Sequence, residues 1–484
     1  MNIPLLIVVV YIIALYAVSW YATKLNKGGY LGYLLAGRGF TTIIVSTMVA
    51  GLAIGGASTV GVAEQAYKVG ISAGWYNGAW AAGAVVVGLL MASKLRAMEA
   101  STVPELFERY FDTSGRVIGV LGQVVIQMVI TALQYVAGGA ILAALMPEFF
   151  TFKTGMLTSA VTFIGITLIG GYWAAGLSNL INVIVIYVGI TAGAFLCLTK
   201  VGGISGLTAA LPASGPWFSL FDGVGMSMII AWFTVMITQA CSNQAVAQIA
   251  FAAKDGKSAK WGFILGGALI FPIGFLSAIF GLVAAVKFPN ITPAMALPKV
   301  ILELNPVSAG LVLSGLWAAD VSTAVGLLLG SSTLIVNDIW KRFIQPNMPE
   351  KSQLLFSRIV VLGISLLTYW MATSVLGIIK TLLIGLTLTT SYTVVLMFLL
   401  FAPQFCKKGS AFWTVLIGII YLLVWQFVPA VRIVSHPIYL AWPVSLITFF
   451  LVYLLDPRPA NIAAKNLESY DNELAGRNIT ASER

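Results

Sequence analysis

Long apolar runs separated by short polar connections dominate the chain. A helix needs roughly 20 apolar residues to cross the hydrocarbon core of a bilayer, and about thirteen runs meet that need: 3–22, 41–67, 75–93, 116–145, 154–174, 177–199, 224–252, 259–287, 307–337, 355–373, 376–402, 411–428 and 438–455. This pattern predicts an all-α polytopic membrane protein with about 13 transmembrane helices. The connections 201–223 and 288–306 are longer and rich in Pro, Gly and Ser, so each is expected to carry a short surface helix. From residue 456 to 484 the chain turns polar and charged, as expected of a loosely ordered tail.

Two of the runs are interrupted near their middles. The second contains Gly51-Leu52-Ala53-Ile54-Gly55-Gly56-Ala57-Ser58-Thr59, and each glycine weakens a helix interior by about 1 kcal/mol relative to Ala. A break near Ile54 is the expected result. Unwound backbone in a membrane survives only where it is buried in protein or lines a watery cavity. Either the small residues allow close helix packing, or the freed carbonyls hold a cation. The seventh run carries a comparable polar interruption, Thr238-Gln239-Ala240-Cys241-Ser242-Asn243-Gln244. Paired interruptions at corresponding places in two halves point to inverted repeats with a binding site at the bilayer midplane. The division that follows is a leading helix at 1–22, one five-helix repeat at 41–199, a second at 224–402, two trailing helices at 411–455 and the tail at 456–484.

The ninth run holds Ala318-Ala319-Asp320-Val321-Ser322-Thr323-Ala324-Val325-Gly326. Ala319, Ser322, Thr323 and Gly326 follow i, i+3, i+4, i+7 spacing and share one helical face. Hydroxyls on membrane helices commonly bond back to a carbonyl of their own preceding turn. Combined with carbonyls from the broken second run, they would instead form an oxygen cage without formal charge, suited to a hard monovalent cation such as sodium. Asp320 costs ~2.5–3.5 kcal/mol at mid-helix and needs a partner or a watery cavity. It is read as a structural or electrostatic residue near the cage, with proton carriage and contact with a cationic solute as alternatives.

Composition agrees with the pattern. Hydrophobic residues make up 59% and charged residues 9% of 484, against roughly 25% charged in a soluble domain. The first run is followed by Lys24 and Lys27 rather than preceded by basic residues, so it reads as a retained helix with the N-terminus outside. Thirteen crossings then place the C-terminus in the cytoplasm and roughly three quarters of the 27 Lys and Arg in inner connections. The net charge of +10 therefore reflects topology in a plasma or bacterial inner membrane, not a nucleic-acid surface. Cys197, Cys241 and Cys406 lie far apart in or beside apolar runs and suit neither a disulfide framework nor a zinc site. The single His436 precedes Pro437 in an outer loop and is given no role. Glu64 and Lys68, one turn apart, read as a surface ion pair. Phosphate-binding loops and metalloprotease motifs are absent from the sequence, so an enzyme is not expected.

Four separated stretches resemble the sodium/solute symporter family, which includes the sodium/glucose and sodium/proline cotransporters. "LLAGRGF" resembles the family's Leu-Ala-Gly-Arg stretch before the second span, and "TVPELFERYF" its Thr-x-Pro-Glu inner-loop signature. "NQAVAQIAFAAKDGKSAKWG" and "STAVGLLLGSSTLIVNDIWKRF" resemble its later Asn-Gln run and its Ser-Ser/Thr helix ending in Asp-Ile-Tyr-Lys. The resemblance runs roughly from Tyr33 to Cys406 and implies a LeuT-like five-plus-five inverted-repeat fold. By position it implies sodium ligands at Gly51, Ile54, Ala319, Ser322 and Thr323, and solute contacts at Ser58, Asn77, Asn243 and Gln244, with Gly55 beside the break. The positions of a second sodium site found in some members are Asn179, Val325 and Gly326 here, which implies one sodium per cycle. Ile249 stands where the family has Arg, and Ala245 where sugar-type members have a gate Tyr, so sugar specificity is not expected. The resemblance thus implies a sodium-coupled importer of a small organic solute working in the lipid bilayer by alternating access, with a monomer sufficient. A solute sensor that does not transport, or a proton-coupled transporter using Asp320, is the alternative.

Overall fold

The computed structural model of the chain describes residues 3–25, 29–145, 147–373 and 385–461. Its regular structure is helical, and the only β pairing among the described residues is two isolated bridges, Phe40 with Ala253 and Lys407 with Pro459. The principal helices are α1 (Ile3–Thr23), α2 (Thr42–Ala53), α3 (Ala57–Val69), α4 (Trp75–Leu90), α5 (Val103–Tyr110), α6 (Thr113–Leu145), α7 (Phe152–Thr199) and α8 (Met226–Ser242). They continue with α9 (Gln244–Ala252), α10 (Gly256–Lys287), α11 (Pro306–Thr333), α12 (Glu350–Ala372), α13 (Thr389–Phe401), α14 (Ser410–Phe427) and α15 (Ile438–Leu455).

Among the described residues eight helices are long and apolar enough to cross a membrane, or nine with α2 and α3 counted as one bent span. Several expected runs fall short of that length because they are broken or short in themselves. α8 and α9 divide the seventh run at Asn243, α4 has 16 residues, and α13 has 13. The part of run 376–402 before residue 385, and the tail after residue 461, lie outside the described residues. α7 joins the runs expected at 154–174 and 177–199. The two meet at Gly171, whose φ of 60° turns the chain with Tyr33 packed against its α-carbon. The two long connections hold short helices, Gly203–Ala210 and Ala296–Leu302.

α11 is the central helix. Of its most apolar stretch 94% is buried, against 22% for α1 at the edge. It packs on α7 and α6, and also meets α1 and α2. A helix surrounded on all sides needs no polar face, which is why hydroxyls, glycines and one carboxylate along it read as chemistry. α10 lies across α2, α3 and α4, so the broken second span is held between α10 on one side and α7 with α11 on the other.

Candidate cation and solute site

α2 stops at Ala53 because Ile54 leaves helical geometry, with φ −87° and ψ 84°. The chain bends by 58° and resumes as α3, whose first turn is a wide one. Close approach explains the glycine pair at the bend. A Cβ on Gly55 would stand 2.5 Å from Gln134 Oε1 and 2.6 Å from Thr323 Oγ1. On Gly56 it would stand 2.3 Å from the Ala137 methyl and 3.0 Å from Asp320 Oδ1. A larger residue at either position pushes α2 away from α6 and α11.

The hydroxyls of α11 reach into this bend. Ser322 Oγ lies within donating distance of two carbonyls, those of Gly51 (2.7 Å) and Ala319 (2.8 Å). Thr323 Oγ1 lies 3.0 Å from the Gly51 carbonyl, 3.2 Å from that of Leu52 and 3.1 Å from that of Ala319. Both ways of satisfying a hydroxyl are therefore present, back-bonding within α11 and bonding across to α2. Gly51, Ile54, Ala319, Ser322 and Thr323 are all buried. Hydroxyl hydrogens rotate, so the same oxygens can turn lone pairs toward a cation that takes the carbonyls. The Asn179 side chain lies 2.8 Å from where a Cβ on Gly51 would stand. Its Nδ2 meets Met48 Sδ at 3.1 Å, and its Oδ1 accepts from Asn182 Nδ2 at 3.3 Å.

Asp320 is completely buried, and neither carboxylate oxygen has a hydrogen-bond partner among the described residues. It faces the bend at Gly56, beside the cage and not part of it.

A cavity of about 20 Å³, room for about one water, opens beside the bend and is lined by Gly55, Ala57, Tyr76, Trp80, Gln134, Thr323 and apolar neighbours. Among the residues expected to contact solute, Gly55 lines it. Ser58 Oγ turns back to the Ala53 carbonyl at 2.5 Å. Asn77 Nδ2 donates to the Ile270 carbonyl at 3.4 Å, and its Oδ1 has no partner among the described residues. Asn243 caps α9, its side chain accepting from the Ala245 N–H at 2.9 Å. Gln244 Oε1 accepts from the Val103 N–H at 2.8 Å, and its own N–H donates to Gln123 Oε1 at 3.0 Å. The cage residues and Gly55 are thus gathered at one bend, while Asn243 and Gln244 belong to the second. Tyr76, Trp80 and Gln134 were not singled out from the sequence. The signal for Gln134 lies in its spacing from Gln123 and Gln127, amides that recur on one face of an apolar run.

An ion-pair network lies beside the second bend. Asp338, in the wide helical turns Leu334–Ile344 that continue α11, accepts from Thr102 Oγ1 at 2.9 Å and from Arg116 Nε at 2.8 Å. Arg116 also pairs with Glu108 of α5, which is bound by Arg342 at 2.9 and 3.0 Å. Partial burial pushes the Glu108 carboxyl up, but hydrogen bonds from Arg342 and Arg116 override it and hold the group at about 2. Glu64 and Lys68 form their expected pair at 3.5 Å.

A polytopic helical bundle with a broken span, and with backbone carbonyls and hydroxyls converging at the break, defines the class of secondary transporters. The sequence profile of the sodium:solute symporter family matches residues 33–418, and the chain belongs to that family. Members of it are membrane transporters, not enzymes, and its activity is sodium-coupled symport. The chain is 25% identical over 467 residues to a zebrafish (Danio rerio) protein named sodium/glucose cotransporter 4, covering 86% of this chain and 70% of that one. It is 25% identical over 429 residues to the sodium/proline symporter of Haemophilus influenzae, covering 82% and 83%. In fold it is similar to a sodium-coupled sialic acid symporter solved in an outward-open, substrate-bound state. The TM-score is 0.80 at 19% identity, covering 96% of this chain and 99% of that one. It also resembles the nucleobase-cation symporter Mhp1, with a TM-score of 0.59 at 14% identity, covering 90% and 98%.

Proposed function

We propose that the chain imports a small organic solute with one sodium ion per cycle by alternating access. The observation that carries this reading is the convergence of the Ser322 and Thr323 hydroxyls on the Gly51 carbonyl at the bend between α2 and α3. Gly51, Ile54, Ala319, Ser322 and Thr323 are the proposed sodium ligands, and the Asn179 amide with Val325 and Gly326 limits the site to one ion. Sodium joins the first bend to α11 and so stabilises one arrangement of the bundle; its release lets the bundle rock. The expected thirteen spans, the five-plus-five inverted repeat, an outer N-terminus, a cytoplasmic tail and a working monomer complete the proposal.

The solute pocket begins at the cavity beside Gly55. Ser58, Asn77, Asn243 and Gln244 are its wider set, reached as the bends open. No Lys or Arg among the described residues lines the cavity, so a solute carboxylate would find its donors in the backbone at the break. One sodium moving down ~100 mV gains ~2.3 kcal/mol, and a roughly tenfold gradient adds ~1.4 kcal/mol. Together these concentrate a neutral solute about 500-fold. Asp320 is assigned a structural or electrostatic role beside the ion.

Proteoliposomes with an inward sodium gradient, offered amino acids, monocarboxylates, sugars, polyols and vitamins, test the reading. Accumulation of one class that collapses with the sodium gradient is expected; binding without accumulation identifies a sensor instead. Unpartnered Asp320 favours proton coupling as the second reading. Uptake by Asp320→Asn that keeps its sodium dependence at fixed pH removes it.

A further inference from the structure

We infer that sodium leaves the cage along the face of α11 that leads to Lys341 and Arg342, passing an amide way station formed by Gln127 and Gln248. The inference rests on the sodium site proposed above and adds a route and two residues to it.

Below Thr323 the cage-bearing face of α11 continues through Gly326 and Gly330, at i+3 and i+7, a distance of about 10 Å. Glycines, not larger side chains, line this stretch. A Cβ on Gly326 would meet only Leu52 Cδ1, at 3.6 Å, and one on Gly330 would meet Gln127 Nε2 at 3.1 Å and Gln248 Oε1 at 3.5 Å. Gln127 itself points to a ligand. It is completely buried, its amide N and O both lack hydrogen-bond partners among the described residues, and the amide packs directly against Gly330. A buried amide left unpaired is costly unless something passing through satisfies it.

The polar line is continuous at both ends. Gln127, Thr131 and Gln134 lie at i, i+4 and i+7 on α6, and Gln134 lines the cavity beside the cage. Past Gln127, Gln248 Oε1 accepts from Gln244 Nε2 at 3.4 Å, and that same nitrogen donates to the Ser101 carbonyl at 3.3 Å. Ser101 belongs to the connection that also holds Arg96 and Glu99, on the side of the bundle where Glu108 meets Arg342. None of the way-station residues is charged. Amide oxygens can replace water around sodium without holding it tightly, which is what an exit route requires.

The test is cysteine accessibility in the full-length chain, with Cys197, Cys241 and Cys406 replaced by Ser. Gly330→Cys and Gln127→Cys are treated with a membrane-impermeant thiol reagent in vesicles of each orientation. In sodium-free medium, labelling from the Lys341–Arg342 side is expected to be at least about tenfold faster than from the other, and saturating sodium is expected to slow it about tenfold. Labelling that is confined to the opposite side, or unaffected by sodium, overturns the route. Gln127→Leu supplies a second readout: sodium affinity within about twofold of wild type, but sodium-driven turnover lowered about tenfold, with partial rescue by Gln127→Asn. Unchanged turnover overturns the way station. Sodium binding to the wild-type chain is measured separately, so a chain that binds no sodium exposes a failure of the cage reading and not of the route alone.

Discussion

The two bends of the bundle differ in what fills them. At the first, between α2 and α3, the neighbouring helix α11 offers two hydroxyls to the Gly51 carbonyl. At the second, between α8 and α9, the neighbouring helix α6 offers the Gln123 amide, which donates to the Ser242 carbonyl at 2.8 Å and accepts from the Gln244 N–H at 3.0 Å. An amide carries both a donor and an acceptor and closes a bend completely; a hydroxyl is small and rotatable and leaves the carbonyl available to an ion. Under the repeat proposed here, α6 and α11 are the equivalent third span of each five-helix half. One half then keeps a cation site where the other keeps a protein cap.

The second bend should be the rigid one, and its anchors carry the largest expected effects. Arg116→Ala leaves buried Asp338 without its cation; breaking such a pair costs about 3–5 kcal/mol, seen as a lower Tm in detergent with sodium binding unchanged in the molecules that remain folded. Gln123→Leu strips both partners from the bend at about 1–3 kcal/mol per unpaired group, again in Tm more than in sodium affinity. The first bend should respond the other way. Gly55→Ala places a methyl against Gln134 and Thr323, an overpacking of about 1–3 kcal/mol that is expected to weaken sodium binding about 5–150-fold with a smaller change in Tm.

The smallest effect is one of pH. The Glu108 carboxyl is held at about 2, below its usual range, by its arginine partners. Its contribution is fully present above the ordinary carboxylate value and is lost only as pH falls through about 2. Tm of the wild-type chain relative to Glu108→Gln should therefore stay constant between about pH 5.5 and 8; a difference that shrinks over that interval contradicts the pairing.

Much of this contrast was legible in the sequence, and the reason is the solvent. In a bilayer every departure from an apolar helix needs an explanation, so Gly51 to Gly56, the Thr238–Gln244 run and Ser322 with Thr323 stand out in the sequence alone. The bend at Ile54 follows from the glycines around it, and the shared face of Ser322 and Thr323 from their spacing; Gly51 as the carbonyl they approach was named through the family resemblance. What pairwise packing decides was not legible. That Ser58 bonds its own Ala53 carbonyl, that Asn243 serves as a helix cap, and that α6 supplies amides to both bends, Gln134 Oε1 accepting from the Gly56 N–H at 2.7 Å at the first, depend on which helices are neighbours. The join of two runs at Gly171 was misplaced by a few residues because Tyr172 to Ala175 continue the apolar pattern past the turn. Asp320 was visible from the sequence, but its lack of a hydrogen-bond partner among the described residues is a property of the packed core alone.

The central claim is that the first bend and α11 together hold one sodium ion. Sodium titration of the purified chain, with the Ser322→Ala/Thr323→Ala double variant beside it, tests this most directly. The account predicts a saturable one-site isotherm for the wild type and no saturable sodium response from the folded double variant. A variant that still binds sodium with wild-type affinity, or a wild type that binds two ions, would contradict it.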